Sequence, residues 1–369
     1  MFKLTRTGAL AAAAALAPCP AFAHHPGGTG NSSGAGPAIT IPATTLEAGH
    51  IAAFVAYESI RLGGLGDQDL IAAAGRHVHA HSIGAIESTS FGAAFGVTDD
   101  LTVSLRLPYV RRTDIREGAH SHVPGGATLN SVTGRGDTAG VGDATVMGQW
   151  RFFNNGATGT AAALLFGVRL PTGETHQRDR TGARFETEFQ PGSGSLDAFV
   201  GLAGTQRFGA WSFDANVIYV FVNTGAQRTN LGDRFQYNAA VSYRLIGSIA
   251  PRTVAGGPPP AYAHLGHTHT HADGTVHRHG PEAAVSPAAP QFTLDGVLEL
   301  NGEWHDRQRV AGVKDANSGG NTVYLSPGLR ASYANLSGFV SVGVPVVNRM
   351  NGLQSKPSYR VVSGLALSF

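Results

Sequence analysis

The sequence predicts an all-β fold, specifically a transmembrane antiparallel β-barrel of about twelve strands. Three observations carry this expectation. From about residue 51 to the end, segments of roughly ten residues or a little more alternate apolar and polar side chains with a period of two, the pattern of a strand with one dry and one wet face. The connections between these segments alternate between short and long. The chain also opens as an export signal, with Lys3 and Arg6 ahead of the apolar run "GALAAAAALAP" and "AFA" at 21–23 as the cleavage site.

Residues 1–23 are thus read as a signal peptide and 24–50, beginning "HHPGGTGNSSGAGPAIT", as a flexible lead-in. Strands are expected at 51–61, 83–96, 100–110, 140–153, 158–171, 193–208, 210–223, 234–246, 290–303, 320–333, 336–347 and 357–369. In "LTVSLRLPY", Leu101, Val103, Leu105, Leu107 and Tyr109 share one face and Thr102, Ser104, Arg106 and Pro108 the other. In "WSFDANVIYVF" the polar set is Ser212, Asp214 and Asn216, and Ile218 and Val220 interrupt it. "RFQYNAAVSYRL" and "FTLDGVLELNGEW" repeat the pattern, and "YRVVSGLALSF" closes the chain. Breaks at 96–100, 154–158, 207–211 and 333–337 are short, whereas 62–82, 111–139, 172–192, 224–233, 304–319 and 348–356 are longer. Aromatic strand ends such as Tyr109, Trp150, Tyr219, Tyr243, Trp304 and Tyr333 suit the two interfaces of a bilayer. A closed barrel also leaves no strand edge unpaired in lipid.

Composition narrows the function classes. Removing Lys3 and Arg6 lowers the basic count from 27 to 25, equal to the 25 acidic residues, so nothing indicates a nucleic-acid partner. Cys19 is the one cysteine and falls within the signal, which leaves 24–369 without disulfide or thiolate chemistry. The proline in "LAPC" disfavours lipid attachment there. No "GxSxG" or "GxxxxGK[ST]" occurs, and serines beside histidines, such as Ser82 and Ser121, lie in segments with no support for a rigid triad. The chain does not read as an enzyme.

Short turns of outer-membrane barrels face the periplasm and long loops the exterior. With both termini in the periplasm, odd-numbered strands rise outward, and the insertion 247–289 falls on the periplasmic side. The motifs "GVGDATVMGQWRF" (140–152) and "FGVRLPTGE" (166–174), with Gly142-Asp143 and Leu170–Gly173, together with the terminal Phe369, resemble the outer-membrane barrel family named for the meta-cleavage pathway of phenol degradation. The similarity spans most of 51–369. It implies about twelve strands in the Gram-negative outer membrane and a transport role for small solutes, and it implies no catalytic residue.

Histidines form the second feature. "HTHTHADGTVHRHG" (267–280) lies between proline-rich runs. His264, His267, His269, His271, His277 and His279, with Asp273, offer donors suited to Zn²⁺, Cu²⁺ or Ni²⁺ in a weak multisite collector. His77, His79 and His81 in one expected outward loop, His120 and His122 in the next, and His24 and His25 at the expected mature terminus add to this set. No cofactor is required by the sequence. The third feature is a charged interior: Arg106, Arg151, Arg169, Arg234, Arg244 and Arg330 against Asp143, Asp197, Asp214, Asp295, Glu299 and Glu303. Of these, Arg106, Arg169, Arg244, Arg330, Asp295 and Glu299 are the expected lumen selectivity residues. The leading expectation is an outer-membrane channel for passive passage of a small solute. A metal-capturing barrel that hands ions to a periplasmic partner and a purely structural barrel are the alternatives.

Overall fold

A computed structural model describes residues 36–78, 80–122, 128–247, 268–270, 276–278 and 292–369. Twelve strands form the wall. They are β1 (Ile51–Gly63), β2 (Ala85–Thr98), β3 (Leu101–His122), β4 (Thr145–Asn155), β5 (Thr160–Arg169) and β6 (Asp197–Phe208), then β7 (Trp211–Phe221), β8 (Arg234–Ile246), β9 (Thr293–His305), β10 (Gly320–Tyr333), β11 (Leu336–Met350) and β12 (Lys356–Ser368). Each is antiparallel to its chain neighbours, and β1 pairs with β12 from Ala52↔Ser368 to Gly63↔Lys356, which closes the barrel. Backbone bonds between Ile51 and Phe369, at 3.1 and 2.7 Å, fasten the seam at the end where the termini meet.

The two faces separate by chemistry. Along β3, Thr102, Ser104 and Arg106 are buried while Val103, Leu105 and Leu107 are exposed, and along β7 Ser212, Asp214 and Asn216 are buried while Trp211, Phe213 and Val217 are exposed. Leu202, Phe213, Leu298, Leu329, Val344 and Leu365 are each close to half exposed on the outer wall. A contiguous apolar exterior of this kind fits lipid, and a polar interior fits a lumen. The short turns lie at 99–100, 156–159, 209–210 and 334–335. Between Phe208 and Trp211, Gly209 sits at φ +54°, a twist that the two-residue hairpin requires and glycine accepts without strain.

Three departures from the expected pattern bear on function. β3 continues to His122, where residues 111–139 were expected as loop: its outer half pairs with the strand Thr128–Val141, from Tyr109↔Val141 to His122↔Thr128. This hairpin stands beyond the lipid-facing band, so neither face needs to be apolar and the period-two signal disappears. The barrel partner of β3 is β4, from Leu101↔Trp150 to Arg106↔Thr145. The expected strand at 140–153 therefore divides, with Gly142, Asp143 and Ala144 bridging the hairpin and the wall. Second, the first outward loop contains helix α1 (Asp67–Gly75), with Asp67 and Asp69 in its first turn favouring the helix dipole. Leu70 and Ala73 bury against Ala80, Val132 and Leu353. Third, residues 37–46 are almost entirely buried inside the barrel, although the lead-in was expected to be unstructured; the residues before 36 lie outside the described ones.

Candidate functional site in the barrel lumen

The chain from 37 to 46 crosses the lumen near its short-turn end. It is held by wall side chains rather than by strand pairing. Glu299 of β9 accepts the backbone N–H groups of Ala38, Ile39 and Thr40 at 2.9, 3.1 and 3.2 Å. Asn216 accepts from Ile41 N at 2.9 Å, Thr205 from Ala43 N at 2.8 Å and Thr102 from Leu46 N at 2.8 Å. Gln149 donates to the carbonyls of Pro42 and Thr44 at 2.8 and 2.9 Å, and Arg330 to that of Pro37 at 3.0 Å. Ile41 and Ala43 pack on Met147, Leu165, Phe199 and Ile218, which are apolar residues on the lumen face. The interruption at Ile218 and Val220 is thereby explained, since Ile218 belongs to this buried apolar cluster and Val220 packs against it. Beside this floor, a cavity of about 40 Å³ bounded by Ile39, Glu58, Ser88, Arg106, Phe339 and Val362 has room for only a few waters.

A roof lies farther toward the long-loop end. The β5–β6 loop folds inward, and Thr187, Phe189, Gln190 and Ser193 are buried. Asp143 holds it, accepting from Gly173 N at 3.1 Å and from both N and Oγ of Ser193 at 2.8 and 2.6 Å. Three glycines let the strands of this knot touch. A Cβ on Gly173 would lie 2.5 Å from Gly192 Cα and 2.8 Å from Gly142 C. Arg112 donates from below to the carbonyls of Phe189 and Gln190, at 3.3 and 2.9 Å.

Charged side chains line the lumen at several heights. Arg169 is paired with Asp197, and Arg244 with Asp295. Arg106 donates to Ser90 at 2.8 Å, Arg151 pairs with Asp100 at 2.8 Å, and Asp214 accepts from Thr205 and Ser212 at 2.6 and 2.8 Å. Arg360 donates to Asn301 at 2.7 Å and lies 4.3 Å above the Tyr324 ring.

A separate cluster sits on the outer surface of the roof. His81 Nδ1 lies 3.3 Å from Glu188, and its Nε2 lies 3.8 Å from Glu117 and 3.9 Å from Glu186. Its ring meets Phe189 edge-on at 4.9 Å. Burial opposes a charge on this imidazole, but hydrogen bonds to Glu117 and Glu188 and the charges of Glu188 and Glu186 outweigh it, raising the pKa to about 10. Burial likewise disfavours a charged Glu188, yet His81, Gln308 and Arg112 hold its carboxyl below the usual range. Arg135 joins Glu117 to Asp179, the latter at 2.5 Å. The donor atoms of His81, Glu186 and Glu188 lie within 4.8 Å of one another, close enough to surround one cation.

The sequence matches the family described as "Putative MetA-pathway of phenol degradation" over residues 50–289. The chain belongs to this family. The motifs through which the resemblance was recognised, Gly142-Asp143 and Leu170–Gly173, are the parts that knot the roof to the wall. No curated protein matches the sequence significantly. Among solved structures, an outer membrane channel from Pseudomonas putida F1 shares 15% identity at a TM-score of 0.49, covering 88% of this chain and 97% of its own. A toluene transporter, TbuX, from Ralstonia pickettii shares 11% at 0.34, covering 88% and 90%. A FadL homologue from Pseudomonas aeruginosa shares 9% at 0.35, covering 96% and 99%. The family and the barrel together assign the chain to the Gram-negative outer membrane, with a channel or transporter fold.

Of the expected lumen residues, Arg106, Arg169, Arg244, Arg330, Asp295 and Glu299 all face inward, at several heights rather than in one ring. Among the described residues, the histidines are not gathered at one site. His81 turns to glutamates, and His77 follows α1 in a left-handed turn at φ +54°. His120 and His122 lie on strand β3, opposite Asn130 and Thr128, not in a loop. In the insertion, the backbones of His269 and His277 oppose each other in a short hairpin. His24, His25, His79, His264, His267, His271, Asp273 and His279 lie outside the described residues. Reading the sequence missed Arg112, Glu117, Glu186 and Glu188, because all four belong to segments expected as loops.

Proposed function

We propose that this protein is a passive outer-membrane channel for a small polar solute, with residues 37–46 as its gate. The supporting observation is the way the floor is held: residues 38–46, all buried except the half-buried Thr44, rest on wall side chains, and strand pairing does not tie them to the barrel. Such a segment can leave without breaking the sheet. The wall behind it is mostly polar, apart from the apolar patch of Met147, Leu165, Phe199 and Ile218, so its departure clears the lumen below the roof. The test compares the full chain with one lacking 36–46 in planar bilayers and in solute-loaded liposomes. A larger, steadier conductance after deletion is expected. Absence of conductance and of solute flux from both proteins would defeat the channel reading.

A second reading is favoured by the His81, Glu186 and Glu188 cluster, which has the donor set for Zn²⁺ and, through imidazole, for Cu²⁺ or Ni²⁺. On this reading the outer cluster captures an ion, and the histidines of 264–279 offer it to a periplasmic partner. Calorimetric titration of Zn²⁺ into the full chain, a Glu188→Gln variant and a chain lacking 264–279 separates the contributions. Identical stoichiometry and heat in all three would remove both sites from consideration.

A further inference from the structure

The chamber under the roof is bounded by four guanidinium groups, with Glu58 near Arg106 and Glu188 near Arg112 among its acidic neighbours. Arg106, Arg112, Arg169 and Arg234 bound it together with Asp143, beneath Thr187, Gln190 and Ser193. Asp143 is occupied by Gly173 and Ser193, and Asp197 by Arg169 and by the backbone N–H of Asn223 at 2.9 Å. Glu303, on the inward face of β9 near Arg234, accepts from Gln236 at 2.8 Å. Arg234 is only 5% exposed, and its Nε and Nη1 have no hydrogen-bond acceptor among the described residues. In register opposite it, His305 likewise has a buried Nε2 without a partner.

A buried guanidinium with unmatched donors is costly, and the Nε–H and Nη1 donors of Arg234 point to different sides of the group, so each calls for its own acceptor oxygen. We infer that this chamber binds a small oxyanion, a carboxylate head group or inorganic phosphate, with Arg234 as the charged donor that anchors it and Arg106 and Arg112 beside it. The cavity of about 50 Å³ admits a head group but no bulky body. The rest of a larger anion would have to extend along the lumen. This site deepens the channel reading and rests on it for its place in transport: a solute held here sits directly beneath the roof.

The experiment has two arms, so that the site and the channel can fail separately. In the first, the full chain in detergent is titrated calorimetrically with sodium acetate and with sodium phosphate, no bilayer being involved. Binding at one site is expected, weakened about tenfold or more in Arg234→Gln, the loss that goes with one charge-assisted hydrogen bond. Arg234→Lys keeps the charge without the planar set of guanidinium donors and is expected to lie between the two. Arg61→Gln, on the outer side of the wall, should match the parent protein. Retention of the native band on unheated gels shows which variants are folded. The stronger of the two titrants distinguishes a planar carboxylate from a phosphate site. In the second arm, reversal potentials across a potassium chloride gradient should favour chloride, and Arg234→Gln should move them toward zero selectivity. Equal affinity for acetate and phosphate in parent and folded Arg234→Gln, or no binding of either, overturns the site. Silence in the bilayer with intact binding instead defeats the channel and leaves the site standing.

Discussion

At the scale of single residues, Asp143 and His81 are the positions where one atom commands a large element. Asp143 receives three hydrogen bonds from the folded loop, one from Gly173 and two from Ser193. Asp143→Ala is expected to cost about 2–3 kcal/mol, the range for lost bonds to a buried charge, and to free the roof. Limited proteolysis within 174–192, compared between parent and variant, reads that release. Gly173→Ala should act in the same direction, because its Cβ has only 2.5 Å to Gly192 Cα. His81 works through its proton. Its folded pKa of about 10 lies above the ordinary imidazole value, so the stabilisation is complete below about pH 6.5 and is lost as pH rises through 10. Histidine NMR of the labelled protein should show His81 titrating near 10, and Glu188→Gln should lower that midpoint. An unshifted midpoint near 6.5 in the parent would remove the latch. The same proton competes with metal, so Zn²⁺ binding at this cluster should strengthen with pH.

At the scale of elements, the inner segment and the inward loop are two separate closures with different fastenings. The floor depends on neutral and carboxylate side chains meeting backbone groups, above all Glu299 with three N–H donors. Glu299→Gln keeps the shape but surrenders the charge and one acceptor oxygen, and it is expected to lengthen and multiply open events in single-channel recordings without widening the open pore. Were open probability unchanged, Glu299 would not be the catch. The roof depends on the glycine knot and on Asp143. The motifs of this knot were legible in the sequence, but their purpose was not: Gly142-Asp143 looked like a strand start and Leu170–Gly173 a strand end, because their contact with residues 192–193 spans a loop. The outward histidines fared similarly. Residue spacing put His77, His79 and His81 together as "HVHAH", whereas His81 instead faces glutamates from β3 and the β5–β6 loop.

At the scale of the whole molecule, the barrel follows from a single rule, apolar outside and polar inside, and the rule can be tested by placing a charge on either face. Leu105→Arg and Leu298→Arg, on the outer wall, are expected to destabilise the folded barrel by about 2–4 kcal/mol if they lie near the bilayer midplane. Ser104→Arg, on the lumen face, should alter conductance more than stability. Urea unfolding in lipid vesicles measures the first effect and bilayer recording the second; equal destabilisation on both faces would contradict the assignment of faces.

The sequence by itself determined the strand number, the order and the facing of nearly every barrel residue, because lipid on one side imposes a period of two that survives in each strand independently. It also supplied the inward placement of Arg106, Arg169, Arg244, Arg330, Asp295 and Glu299, since facing is a local property. Only the tertiary structure decided which charges are spent on one another, that residues 37–46 lie across the lumen, and that two donors of Arg234 find no acceptor among the described residues. Those facts depend on which residues of distant strands share a height, and on a short segment rich in proline, alanine and threonine finding its hydrogen-bond partners inside a closed wall.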